Sequence, residues 1–266
     1  MEYGEKQLSK FLKFVFWFVA ANSWLGALSL FLFADRTDTY FFWKIAPPIN
    51  AMLMGAMYLV AGVVVVHAAL RGTWESTRVV GVMGFSTGTL LFVVTLVHVD
   101  RFIPGFKLAY WLLVYFAFPV AIALLYRRYE TEGANWGVMR QGIKPLTRFA
   151  ALGTGFGLLC VSVIGLLSPA LFASLGLWQV SDLMVRVFAS WMFSLAASNL
   201  WFWVEKEWRR VQVVAIVLIA TPLAVAVIML INRADVTGNP SGMLAFGAAL
   251  GLLALAGGFM LWHQRR

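Results

Sequence analysis

Eight apolar runs, each near the roughly 20 residues a helix needs to cross a bilayer, constrain this chain more than any other feature. They lie at about Phe14–Ala34, Ile45–Leu70, Val79–Val99, Leu108–Tyr126, Phe149–Leu171, Asp182–Val204, Val211–Asn232 and Gly242–His263. A backbone in hydrocarbon must satisfy its own hydrogen bonds, which leaves helices or closed β-barrels. Barrel strands are about ten residues long with alternating polarity, whereas these runs are apolar on all sides. The expected fold is an all-α polytopic bundle of eight transmembrane helices. Composition agrees: 61% of residues are hydrophobic and 12% charged, against about 25% charged in soluble domains. The mixed-charge segment Met1–Lys13 leads into a run of full spanning length with no small-residue cleavage site. It reads as the start of the first helix rather than as a removed signal.

Charge supplies the expected topology. Of the 21 Lys and Arg, fifteen fall on the side that an eight-span chain shares with its N-terminus. These are Lys6, Lys10, Lys13, Arg71, Arg78, Arg127, Arg128, Arg140, Lys144, Arg148, Lys206, Arg209, Arg210, Arg265 and Arg266. Arg36, Lys44, Arg101, Lys107 and Arg233 fall on the other side, and Arg186 stands near the start of the sixth run. By the positive-inside rule both termini are expected in the cytoplasm, with the chain in a bacterial inner membrane. The net charge of +9 sits at segment ends rather than along one face. It therefore points to anionic lipid, not nucleic acid, as partner. The expected partners are the bilayer and other membrane subunits.

The connection Arg127–Arg148 divides the chain into weakly similar halves. Leu8-Ser9-Lys10-Phe11 matches Leu146-Thr147-Arg148-Phe149, Leu32-Phe33-Ala34 matches Leu171-Phe172-Ala173, and Trp74 matches Trp208. This predicts a 4+4 tandem pseudo-repeat: a first four-helix half over 1–130, a cytoplasmic connection over 131–148 and a second half over 149–266. An even number of spans inserts both halves the same way, with a pseudo-twofold axis along the membrane normal. Gly81, Gly84 and Gly88, the pair Gly153 and Gly157, and the pair Gly247 and Gly251 form stripes expected to seat neighbouring helices. Pro47-Pro48 suits a helix start, and Pro119 and Pro222 fall inside helices. Trp43, Trp74, Trp111, Trp178, Trp201, Trp203, Trp208 and Trp262 read as interfacial belts.

Most chemistries lack their residues. One cysteine, Cys160, excludes an internal disulfide and a cysteine-rich metal centre. Paired-histidine haem needs two ligands at one depth. His67 and His98 lie near opposite ends of antiparallel spans, roughly 25 Å apart at 1.5 Å per residue; His67 with His263 is the pair left open. No cofactor or metal is expected, haem or a pigment being the groups left open. There is no lysine at mid-span for a retinal Schiff base, no mid-span carboxylate pair, and no nucleophile-elbow, phosphate-loop or zinc-protease motif. The residues that stand out form an external polar cluster: His98, Asp100, Arg101, Asp182 and Arg186. Asp182 and Arg186 share a helix face and can pair. Arg186 lies about a turn inside the boundary, where an ionisable side chain suggests function.

Two stretches resemble a group of multi-pass bacterial membrane proteins for which no activity is established. They are His98-Val99-Asp100-Arg101-Phe102 with Tyr110-Trp111, Val114-Tyr115 and Pro119, and Asp182-Leu183-Met184-Val185-Arg186-Val187 with Trp191. Ile45-Ala46-Pro47-Pro48 belongs to the same resemblance. It implies the membrane fold and no catalytic residue. The sparse polar side chains within spans favour a non-catalytic subunit or a binding protein for a lipid, pigment or partner helix. The alternatives are a transporter or channel for a small or amphipathic solute, and an enzyme acting on a lipid-like substrate at the external rim.

Overall fold

A computed structural model describes residues 6–131, 140–174, 178–236 and 238–266. Eight of its helices are long and apolar enough to cross a membrane: α1 (Lys10–Leu32), α3 (Pro48–Arg71), α4 (Trp74–Val97), α5 (Phe106–Thr131), α6 (Pro145–Leu167), α8 (Asp182–Leu200), α9 (Trp208–Ile231) and α10 (Pro240–Arg265). Two short helices, α2 (Thr37–Tyr40) and α7 (Pro169–Ala173), follow α1 and α6. The chain is an all-α, multi-pass integral membrane protein.

Local chemistry sets the helix ends. Proline, whose missing N–H costs nothing at a first turn, opens α3, α6 and α10. Ser9 and Ser181 cap α1 and α8 by accepting from the backbone N–H of Leu12 and Met184. Gly72, at φ +67°, ends α3 in the left-handed conformation that glycine adopts without strain. Pro119 and Pro222 lie inside α5 and α9 as expected. Several helices begin earlier or end later than the apolar runs. α4 starts at Trp74, so Arg78 lies in its second turn, and α5 continues beyond Tyr126 to Thr131. Of the 131–148 connection, 132–139 lie outside the described residues.

Helices pack in pairs: α1 on α3, α4 on α5, α6 on α8, and α9 on α10. Between the pairs, α3 packs on α9 and α4 on α8. The four spans of one half begin at Lys10, Pro48, Trp74 and Phe106, and those of the other at Pro145, Asp182, Trp208 and Pro240. The backbone entering them follows one scheme. Leu8 N–H donates to Gly72 O (2.8 Å) and Trp74 N–H to Lys6 O (2.8 Å). In the other half Ile143 N–H donates to Lys206 O (3.0 Å) and Trp208 N–H to Gln141 O (2.8 Å). These bonds frame the isolated antiparallel bridges Gln7–Thr73 and Gly142–Glu207.

The pattern is broken in one place. α10 packs along α6, but α1 and α5 have no comparable mid-helix contact. They meet near one end through Leu8, Leu12, Trp74 and Tyr129. Near the other end α2 and the segment after it close on α5: Phe42 stacks with Tyr110 and Lys107 Nζ donates to Thr39 O (2.7 Å).

Two expectations need correction. Gly153, Gly157, Gly247 and Gly251 seat no neighbour, since a Cβ on any of them would meet nothing within 4 Å. Gly84 and Gly88 do, lying against Phe118, Ile122 and Pro119 of α5. The tryptophans are not all belt residues: Trp43, Trp74, Trp111 and Trp208 are buried. Their large apolar faces fill the bundle ends, and Trp74 Nε1 finds an acceptor in Glu130 Oε1 (2.6 Å). Of the eight expected at the interfaces, Trp203 and Trp262 are exposed.

Candidate functional site

The five polar residues at the end of the bundle opposite the termini do not form one pocket. α4 ends at Val97, and a 3-10 turn over Val99–Arg101 follows. Arg186, in the second turn of α8, reaches across to it: Nη1 lies 2.7 Å from His98 Nε2, and Nε donates to Leu166 O at 2.9 Å. The expected pairing of Asp182 with Arg186 does not form. The arginine turns inward to an imidazole and a carbonyl freed by the end of α6, while Asp182 stays exposed. Asp100 and Arg101 are exposed and pair with each other at 3.3 Å. An arginine cannot accept a hydrogen bond, so His98 Nε2 is the acceptor and the ring proton sits on Nδ1. Burial, and then the nearby Arg186 charge, push the His98 pKa below its ordinary value. The other histidines are placed apart from it. His263 Nδ1 lies 2.9 Å from Thr147 Oγ1 and its ring stacks on Phe259, and His67 sits half-buried near the end of α3.

The separation of α1 from α5 opens a cavity of about 650 Å³ that runs into the bundle and is lined by side chains of α1, α3, α4, α5 and α8 among others. It is open to the side: Phe18 and Leu25 of α1 and Tyr110 and Val114 of α5 line it and are themselves exposed on the apolar surface. Gly26 lines it too, and a Cβ there would meet only Tyr58 ring carbons, at 3.9 Å. Deeper in, the Tyr58 and Tyr115 hydroxyls share a short hydrogen bond, and Trp191 stands edge-on to Tyr58 with ring centroids 5.4 Å apart. Among the described residues, none of the lining side chains is an Asp, Glu, Lys, Arg or His. None of the five polar cluster residues lines it.

At the end that carries both termini, a buried charge network links the halves. Arg78 of α4 grips Glu130 of α5 with two hydrogen bonds (2.7 and 3.3 Å) and lies 3.7 Å from Glu205. Glu205, fully buried before α9, also faces Arg210 at 3.5 Å. Glu205 Oε1 further accepts from the backbone N–H of Lys206 and Glu207, and Glu207 Oε2 from those of Arg140 and Gln141. In the sequence Arg78 and Arg210 read as cations at segment ends, and neither Glu130 nor Glu205 stands out. A signal was present: acidic residues placed among cations at span ends, where anionic lipid alone would favour cations only.

The chain matches no family model, no curated protein and no solved structure.

Proposed function

We propose that this protein is a non-catalytic membrane protein that binds an apolar, lipid-like molecule in the cavity between α1 and α5. The observation that carries this reading is the lateral opening. A concave, apolar, pre-formed chamber of this size is the usual shape of a small-molecule site, and its exposed rim lies on the lipid-facing surface. The charge arrangement gives the transporter reading less support, since the charged network sits at one bundle end rather than at mid-depth. The rim-enzyme reading gains the His98–Arg186 contact, while Asp100 and Arg101 pair with each other in the open and Asp182 stays exposed.

The two halves are proposed to be a tandem repeat, supported by the matched helix starts, paired packing and recurrent backbone bonds. In this reading the second half keeps its outer pair, α6 and α10, closed, and the first half opens the corresponding seam as a site. The basic end, with Arg71, Arg209 and Arg265 around a second hollow, is proposed to face the cytoplasm.

Gly26→Phe tests the site. An added Cβ meets only Tyr58 ring carbons, at 3.9 Å, and the ring beyond it projects into the cavity, so the variant is expected to elute as wild type but to copurify with much less bound lipid. Native mass spectrometry of protein released from mild detergent reads the difference. Equal retention by both proteins would sink the proposal.

A further inference from the structure

The polar atoms around the cavity say which apolar molecule it suits. Most are already committed to the protein. Ser23 donates to Val19 O, Thr77 to Trp74 O, Ser194 to Met83 O, and Asn22 Nδ2 to Phe18 O. The aromatic wall differs. Tyr58 and Tyr115 hydroxyls bond to each other, which uses one of their two protons and leaves the other phenolic O–H to donate. Trp191 Nε1, an obligate donor, is buried with no acceptor within hydrogen-bonding distance. Two donors without acceptors thus flank one stretch of lining, since Trp191 and Tyr58 are in direct ring contact. Buried donors are ordinarily matched, and a ligand that brings an acceptor gains what the empty site lacks. A charged group would find no counter-charge among the described lining residues and would lose its hydration without return.

We propose that the cavity selects an uncharged, chain-bearing lipid whose head carries a carbonyl oxygen that accepts from Trp191 Nε1 and from the Tyr58–Tyr115 hydroxyl pair, with its chain leaving between α1 and α5. This rests on the cavity being a ligand site. The flat aromatic surfaces of Trp111, Tyr115 and Trp191 suit a planar carbonyl head, and the opening beside Phe18 and Leu25 suits a flexible tail.

The test uses the full-length protein in nonionic detergent and two probes of equal chain length, 2-decyl-1,4-benzoquinone and decylbenzene, titrated by calorimetry. Wild type binds the quinone on the order of tenfold more tightly, the scale of one or two hydrogen bonds. Trp191→Phe keeps decylbenzene binding, which also reports an intact fold, and loses most of the preference; Tyr115→Phe reduces it further. If both probes bind wild type equally, the carbonyl assignment is wrong and the apolar site stands. If neither binds, the site itself is wrong. A preference that survives in both variants would assign the carbonyl to other residues and overturn the proposal.

Discussion

At the scale of single residues, the contact between His98 and Arg186 makes a proton-dependent clasp. His98 must be neutral to accept from the guanidinium, and its folded pKa lies below the ordinary value of about 6.5. Between that lower value and about 6.5 the unfolded chain binds a proton that the folded chain does not, so stability rises with pH in that window. The contribution is complete above about pH 6.5 and is lost as pH falls through the folded value. The melting temperature in detergent should therefore drop between pH 7.5 and 5, and His98→Gln, which does not titrate, should flatten that slope. Parallel slopes in the two proteins would contradict the assignment. The sequence flagged both residues, Arg186 by its depth and His98 as the close of a span. It sets both in one external cluster but pairs Arg186 with Asp182, because His98 lies 88 residues away and spacing sees only neighbours on one helix. Glu205 was hidden for the same reason, since its role depends on Arg78 from the other half.

Among the elements, glycine shows how far a pattern can be read. A small residue every fourth position makes a smooth strip, but the strip does not name the neighbour that fills it. On α6 the glycines that meet partners are Gly155, against Asn199 and Leu200, and Gly165, against Ala189. Gly153 and Gly157 face outward. On α10 the buried glycine is Gly257, where a Cβ would stand 2.5 Å from Ala215 O of α9. Gly257→Ala should therefore destabilise by about 1–3 kcal/mol through overpacking against backbone, while Gly157→Ala should stay within about 0.5 kcal/mol. Unfolding by SDS titration in mixed micelles compares them, and equal effects would refute the placement of these faces. The eight spans themselves were legible because length and apolarity are local properties. The helix ends were not, because buried arginines and glutamates let α4 and α5 extend into stretches that hydropathy alone assigns to loops.

For the whole molecule, the charge asymmetry predicts sidedness. In a Cys160→Ser background, Asp38→Cys should react with a membrane-impermeant maleimide on intact cells. Arg266→Cys should react only after the membrane is opened, and the reverse labelling would invert the proposed topology. The pairing of helices follows chain order, each odd-numbered span packing on the one that comes after it. The cavity could not be foreseen in the same way. It arises where α1 and α5 fail to meet, and an absent contact leaves no mark on either helix, since lipid-facing and cavity-facing residues are equally apolar. The location of that gap has a thermodynamic consequence. A molecule that reaches Gly26 from between α1 and α5 never dissolves in water on the way. Its occupancy is set by its mole fraction among neighbouring lipids, so diluting the cells would leave the site filled, and changing the composition of the bilayer would empty it.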